Sequence, residues 1–273
     1  MKDITLGQYY PVKSRVHLLD PRTKILSAII LIVMIFICGT FAGLGICALF
    51  IFGTAVVAHI PIKKLFKSIK AILILLLFTF VLNVFFYAKG NVIFEAWIFK
   101  LTWGGLARAS FMGLRLMLLV MGAGLLTFTT SPIELTDGLE NLMSPLKIIK
   151  FPTHEIAMMM SIALRFIPIL SEETDKIMKA QSARGAVFDS GSLIKRAKGI
   201  VALLIPLLVS AFRRAEELAM AMEARCYHGG EGRTRLKILK MRASDAVAFI
   251  VMLIFLALII IDKTVFTNFL TVV

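Results

Sequence analysis

Hydrophobic and polar positions divide the chain into long apolar runs separated by basic patches. No charged residue occurs from Ile25 to Ala58, a run of 34 residues. As one helix this would measure ~51 Å, too long for a bilayer core of ~30 Å, so two spans joined near Gly39-Thr40 are expected, roughly 24–38 and 41–59. Ala71–Ala88 gives a third uncharged run of 18 residues, with Asn83 inside it placed to hydrogen-bond a neighbouring helix. Lys89–Arg108 is expected as a loop, with Trp97 and Trp103 suited to an interfacial belt. Ala109–Thr130 is a fourth span, carrying Arg115 about two turns from one end, where snorkelling is the simplest expectation and a pathway role the alternative. Ala243–Ile261 is a fifth.

The stretch 131–242 has a different pattern. Ser131-Pro132-Ile133-Glu134 is a helix start, with Ser as cap, Pro at the first position and Glu three residues after the cap; that helix is expected to run to about Lys147. Two long amphipathic segments follow, Thr153–Arg184 and Ser192–Arg225, each ~45 Å if fully helical. The second contains an uncharged run, Gly199–Phe212, whose 14 residues suit a buried or interfacial helix better than a span. Each segment carries an internal proline, Pro168 or Pro206, expected to kink it. Each then has a Glu pair and ends on Ala-x-x-Ala-Arg: Ala180, Ala183 and Arg184 in one, Ala221, Ala224 and Arg225 in the other. The alanines lie at i, i+3 and make small-residue stripes suited to close helix crossing, with the guanidinium groups emerging beyond. A cation at a helix C-terminus is favoured by the macrodipole alone, and arginine adds a planar fork of donors for carboxylates or carbonyls. Gly185 after Arg184 is a good left-handed cap; Cys226 stands in the equivalent place, and Gly229-Gly230 is expected to supply that reversal instead.

Composition agrees with the run pattern: 59% of the 273 residues are hydrophobic, against ~45–50% in average globular chains. The fold class expected is all-α, a polytopic membrane protein with about five transmembrane helices and a region of long crossed amphipathic helices. Its divisions are 1–130 with four transmembrane helices, 131–242 with the crossed helices, and 243–273 with the last transmembrane helix and tail. The net charge of +14 is uneven, since 17 of the 31 basic residues lie in 131–242. In a membrane protein such a bias reads as a cytoplasmic region, with the N-terminus on the same side, rather than as a nucleic-acid surface. The first 24 residues lack a signal-peptide pattern. Cys38 and Cys47 read as small helix- or lipid-facing residues, and no cysteine or histidine spacing suggests a metal. There is no G-x-x-x-x-G-K-[ST] loop and no H-E-x-x-H, so neither a Walker-type ATP site nor zinc catalysis is expected, and no cofactor. No acidic pair lies within a span to serve as an ion relay.

Three segments resemble a known family, the transmembrane T component (EcfT) of energy-coupling factor transporters. They are Ser14-Arg15-Val16-His17-Leu18-Leu19-Asp20-Pro21-Arg22-Thr23-Lys24; Leu164-Arg165-Phe166-Ile167-Pro168-Ile169-Leu170 leading to Ala180-Gln181-Ser182-Ala183-Arg184-Gly185; and Arg214-Ala215-Glu216-Glu217-Leu218-Ala219-Met220-Ala221-Met222-Glu223-Ala224-Arg225-Cys226-Tyr227. The resemblance implies a non-catalytic subunit in a prokaryotic plasma membrane that links two cytosolic ABC-type ATPases to a substrate-binding S component, for uptake of a vitamin or metal ion. Arg184 and Arg225 would dock on the two ATPases. The family's second signature usually ends in Gly, where this chain has Cys226. The alternative reading of the residues is a stand-alone secondary transporter or channel.

Overall fold

The computed structural model describes residues 9–86, 92–96, 99–188, 192–229 and 239–266. They fall into two compact units, one within Gly7–Leu139 and Leu239–Val273, the other within Glu140–Ile238.

The first unit begins with a pair of 17-residue helices, α1 (Pro21–Ile37) and α2 (Phe41–Val57). Asp20 caps α1 by accepting from the Arg22 N–H, with Pro21 in the first turn. Thr40 caps α2 by accepting from Gly43 N at 3.0 Å. Each helix is ~25 Å long, a little short of the bilayer core. A nine-residue helix that the run pattern did not suggest, α3 (Ile62–Lys70), leads at a bend of 67° into α4 (Leu73–Phe86). The expected loop contains an antiparallel hairpin, β1 (Val92–Ala96) and β2 (Phe99–Thr102). Thr102 accepts from Gly105 N at 3.0 Å and so starts α5 (Trp103–Thr129) six residues before the expected fourth span. Trp97 lies outside the described residues; Trp103 is exposed at the start of α5. The last helix is α9 (Ala243–Phe266).

α5 packs against α1, α2, α3 and α4, while α9 packs against α1 and α2. The core follows helical spacing: Leu31, Met34, Ile35 and Cys38; Leu44, Cys47 and Ile51; Phe111, Leu118, Met121 and Leu125; Met252 and Ile259. Cys38 and Cys47 face each other, sulfur to sulfur, at 3.6 Å. Two polar expectations change. Arg115 does not snorkel: its Nη2 donates to the Cys38 carbonyl at the end of α1, and its guanidinium lies 4.8 Å from the Phe111 ring centre. An end-of-helix carbonyl is a better partner for a desolvated guanidinium than a distant headgroup. Asn83 bonds within its own helix, donating to the Thr79 carbonyl at 2.8 Å.

At the end of the first unit's long segment the capping box appears as expected, Glu134 N donating to Ser131 Oγ at 3.3 Å at the start of α6 (Pro132–Leu142), a helix that runs in sequence from the first unit into the second. α6 stops five residues before Lys147. Pro145 disfavours helix in the residue before it, and a short 3₁₀ turn, Ser144–Ile149, takes over. α7 (Thr153–Ala183) and α8 (Leu193–Glu223) are 31 residues each, with Pro168 and Pro206 inside unbroken helices. Each proline lacks the N–H that would bond the carbonyl four residues earlier, at Leu164 and Ala202.

Candidate functional site

The two arginine-bearing ends have the same backbone. After α7, Gly185 N donates to Ser182 O at 3.0 Å and Ala186 N to Gln181 O at 2.9 Å. After α8, Cys226 N donates to Glu223 O at 2.8 Å and Tyr227 N to Met222 O at 3.1 Å. This paired pattern, with the residue after the arginine in the left-handed region, is the Schellman stop. Gly185 has φ 87° and Cys226 has φ 56°. The expectation that Gly229-Gly230 reverses the second end is therefore corrected: Cys226 does so itself, although Gly229 also has a positive φ and Gly230 lies outside the described residues. A side chain in that region costs ~1 kcal/mol relative to glycine. Cys226→Gly is thus expected to slow hydrogen exchange at the Tyr227 amide roughly fivefold, with Arg225 unmoved; faster exchange would contradict the strain.

Arg184 and Arg225 are exposed, and neither has an ion-pair partner among the described residues. Ala180, Ala183, Ala221 and Ala224 are exposed too. The crossing of α7 and α8 is made by other residues. Ile162, Phe166 and Leu170 line a groove with Ala211, Ala215, Leu218 and Met222. At its edge Glu173 accepts from Ser210 Oγ, and its Oε2 accepts from Arg214 Nε at 3.2 Å and Nη2 at 3.0 Å. Glu173 lies 11 residues before Arg184 (184 − 173), and Arg214 lies 11 before Arg225 (225 − 214). The ion pair is therefore the midpoint of a near-symmetric arrangement, with each arginine ~16 Å further along its own helix. The proline-to-arginine spacings, 16 in α7 and 19 in α8, do not share this symmetry.

Gly199 explains how the helices are set. A Cβ there would meet the Val187 carbonyl oxygen at 2.5 Å, so only glycine admits the chain just past α7 against the start of α8. The start of α8 lies beside the end of α7, the helices run antiparallel, and the two arginine-bearing ends therefore lie on opposite sides of the Glu173–Arg214 pair. One helix pair can in this way present two separated cationic tips, each with a stiff left-handed stop.

The first unit holds a polar knot built from the N-terminal signature, whose role sequence reasoning left unassigned. Tyr10 N donates to Phe128 O at 3.0 Å. His17 Nε2 donates to the Tyr10 carbonyl at 3.0 Å, so its Nδ1 accepts from Ser14 Oγ at 2.7 Å. Burial, more than any neighbouring group, holds this imidazole below its ordinary range, consistent with the neutral tautomer. Lys24 Nζ donates to His17 O at 2.9 Å and to Thr129 O, at the end of α5, at 3.0 Å. Asp245 accepts from Asp20 N at 2.8 Å and from Arg242 N at 2.7 Å. Signature residues thereby fix the ends of α1, α5 and α9 to one another. Among the described residues no group of three or more His, Cys, Asp or Glu side chains could hold a metal.

Large apolar side chains are exposed along α4 and α9, among them Ile74, Phe78, Phe86, Ile250, Ile254 and Ile261. In water such surface would be a liability; in acyl chains it is at home. By length and composition α5, α7 and α9 can each cross a membrane, and the bent pair α3 and α4 makes a fourth candidate. The class is therefore a polytopic all-α membrane protein. The family model described as cobalt transport protein (CbiQ) matches residues 12–236. The chain is 52% identical over 250 residues to the energy-coupling factor transporter transmembrane protein EcfT of Thermosediminibacter oceani, covering 92% of this chain and 94% of that one. It is 50% identical over 266 residues to that of Ruminiclostridium cellulolyticum (97% and 99%) and 46% identical over 259 residues to that of Bacillus subtilis (95% and 98%). The chain belongs to this family, as the transmembrane component of an energy-coupling factor transporter.

Proposed function

We propose that this subunit is non-catalytic and couples two cytosolic ABC-type ATPases to a membrane-embedded S component that binds a vitamin or metal ion. The observation that carries the reading is the pair of matched helix ends: two exposed arginines, without an ion-pair partner among the described residues, each fixed by the same hydrogen-bonded stop, at equal distances beyond the Glu173–Arg214 crossing. Each guanidinium can enter an acidic or carbonyl-lined groove on its own ATPase. The exposed alanines beside it let a partner backbone approach closely. Movement of one tip reaches the other through the crossing, and the prolines, by removing a backbone bond in each helix, give the pair places to bend. The S component packs on the apolar faces of these helices. The basic bias of 131–242 supports a cytoplasmic position for this region and the N-terminus, α7 included, although its length and composition would also suit a span.

Reconstitution tests the proposal against a stand-alone transporter. Liposomes holding the subunit with both ATPases and an S component are expected to take up substrate with ATP, and liposomes holding the subunit alone to take up none. Uptake by the lone chain would overturn the coupling role.

A further inference from the structure

α3 carries three stripes on nine residues. Leu65 and Ile69 are buried; Ile62 and Phe66 are exposed; Lys63, Lys67 and Lys70 are exposed. At about 100° per residue the three lysines fall within ~60° of arc, and the Ile62–Phe66 stripe lies between them and the buried stripe. The helix contains no acidic residue, and no carboxylate among the described residues pairs with these three ammonium groups. Lys64 is different: it is half-buried, with Nζ 3.5 Å from the centre of the Tyr10 ring. After Lys70 the chain bends by 67° into α4, whose side chains are apolar except Thr79 and Asn83 and mostly exposed. With α4 entering the acyl region, such a bend tilts α3 towards the membrane plane, Ile62 and Phe66 facing the acyl boundary and the lysines the headgroups beside them.

We propose that Lys63, Lys67 and Lys70 form a binding stripe for the phosphate of acidic phospholipids. An acidic protein surface would suit the charge alone. It would not suit the exposed isoleucine and phenylalanine on the adjoining face, nor the direct continuation into an apolar helix, and both features favour lipid. Fixed acidic lipid at this position would anchor the α3–α4 bend while other parts of the molecule move. The inference rests on the membrane-spanning class and not on ATPase docking.

The test uses the full-length subunit in mild detergent, titrated with phosphatidylglycerol or phosphatidylcholine and read by native mass spectrometry. Phosphatidylglycerol is expected to be retained in preference, and K63Q/K67Q/K70Q to weaken that retention on the order of tenfold or more, since each lysine near an anionic surface contributes several-fold. K63R/K67R/K70R is expected to keep it. Without any variant, retention by the natural chain should fall as salt is raised, because the contact is solvent-facing. Equal retention by the glutamine variant, or a preference insensitive to salt, overturns the proposal. So does a glutamine variant that loses its ATPases while binding phosphatidylglycerol undiminished, which would assign the stripe to a protein partner.

Discussion

Replacing both Arg184 and Arg225 by alanine is expected to abolish ATP-driven uptake while leaving the subunit folded in the membrane. Both side chains are exposed, so truncation removes no buried contact within the chain. The hydrogen-bonded stops that follow them are made by backbone atoms and survive the change. If each arginine docks as proposed, what is lost is one charge-assisted fork at each tip, and removing one partner of a desolvated, hydrogen-bonded pair in an interface costs about 2–5 kcal/mol. That corresponds to roughly 30-fold to several-thousand-fold weaker docking per tip. Each single variant should weaken the hold on one ATPase, and the double should be worse than either. The measurement is uptake by proteoliposomes of equal subunit content; a double variant with full uptake would refute the two-pronged arrangement.

The second large effect is expected at Lys24. Lys24→Met keeps much of the side-chain volume and leaves the carbonyls of His17 and Thr129 without their common donor. A buried unsatisfied carbonyl costs about 1–3 kcal/mol; with Thr129 O buried and His17 O partly so, a loss of roughly 2–6 kcal/mol is expected. The signature would come away from the ends of α1 and α5, lowering the thermal midpoint of the detergent-solubilised subunit. An unchanged midpoint would mean the knot is not what holds these ends.

The helices that place the arginines were legible because their signals are local. Ser131 with Glu134 marks one start, Gly185 marks one stop, and helical spacing of apolar residues runs through both long segments. The core of the first unit was legible for a similar reason, as in Leu44, Cys47 and Ile51 along one face of α2. α3 was missed because four lysines in nine residues looked like a charged flank, although Ile62, Leu65, Phe66 and Ile69 carry the helical period. The Glu173–Arg214 pair was missed because it joins residues 41 apart that only the antiparallel crossing brings together. The stop at Cys226 was misread because residue preference favours glycine there, while the backbone bonds that end α8 outweigh a strain of ~1 kcal/mol. The partner of Arg115 could not be read at all, since a carbonyl has no sequence signature.

Cys226 also offers the most direct reporter of the central claim. Of the three cysteines, Cys38 and Cys47 are buried and Cys226 alone is exposed, next to Arg225. A bulky maleimide should therefore label the natural subunit at this one thiol. If Arg225 docks on an ATPase, labelling of Cys226 will slow many-fold when the ATPase pair is bound, and Arg225→Ala will restore the rate of the free subunit. Labelling at the same rate with and without the bound ATPases would contradict docking at this tip.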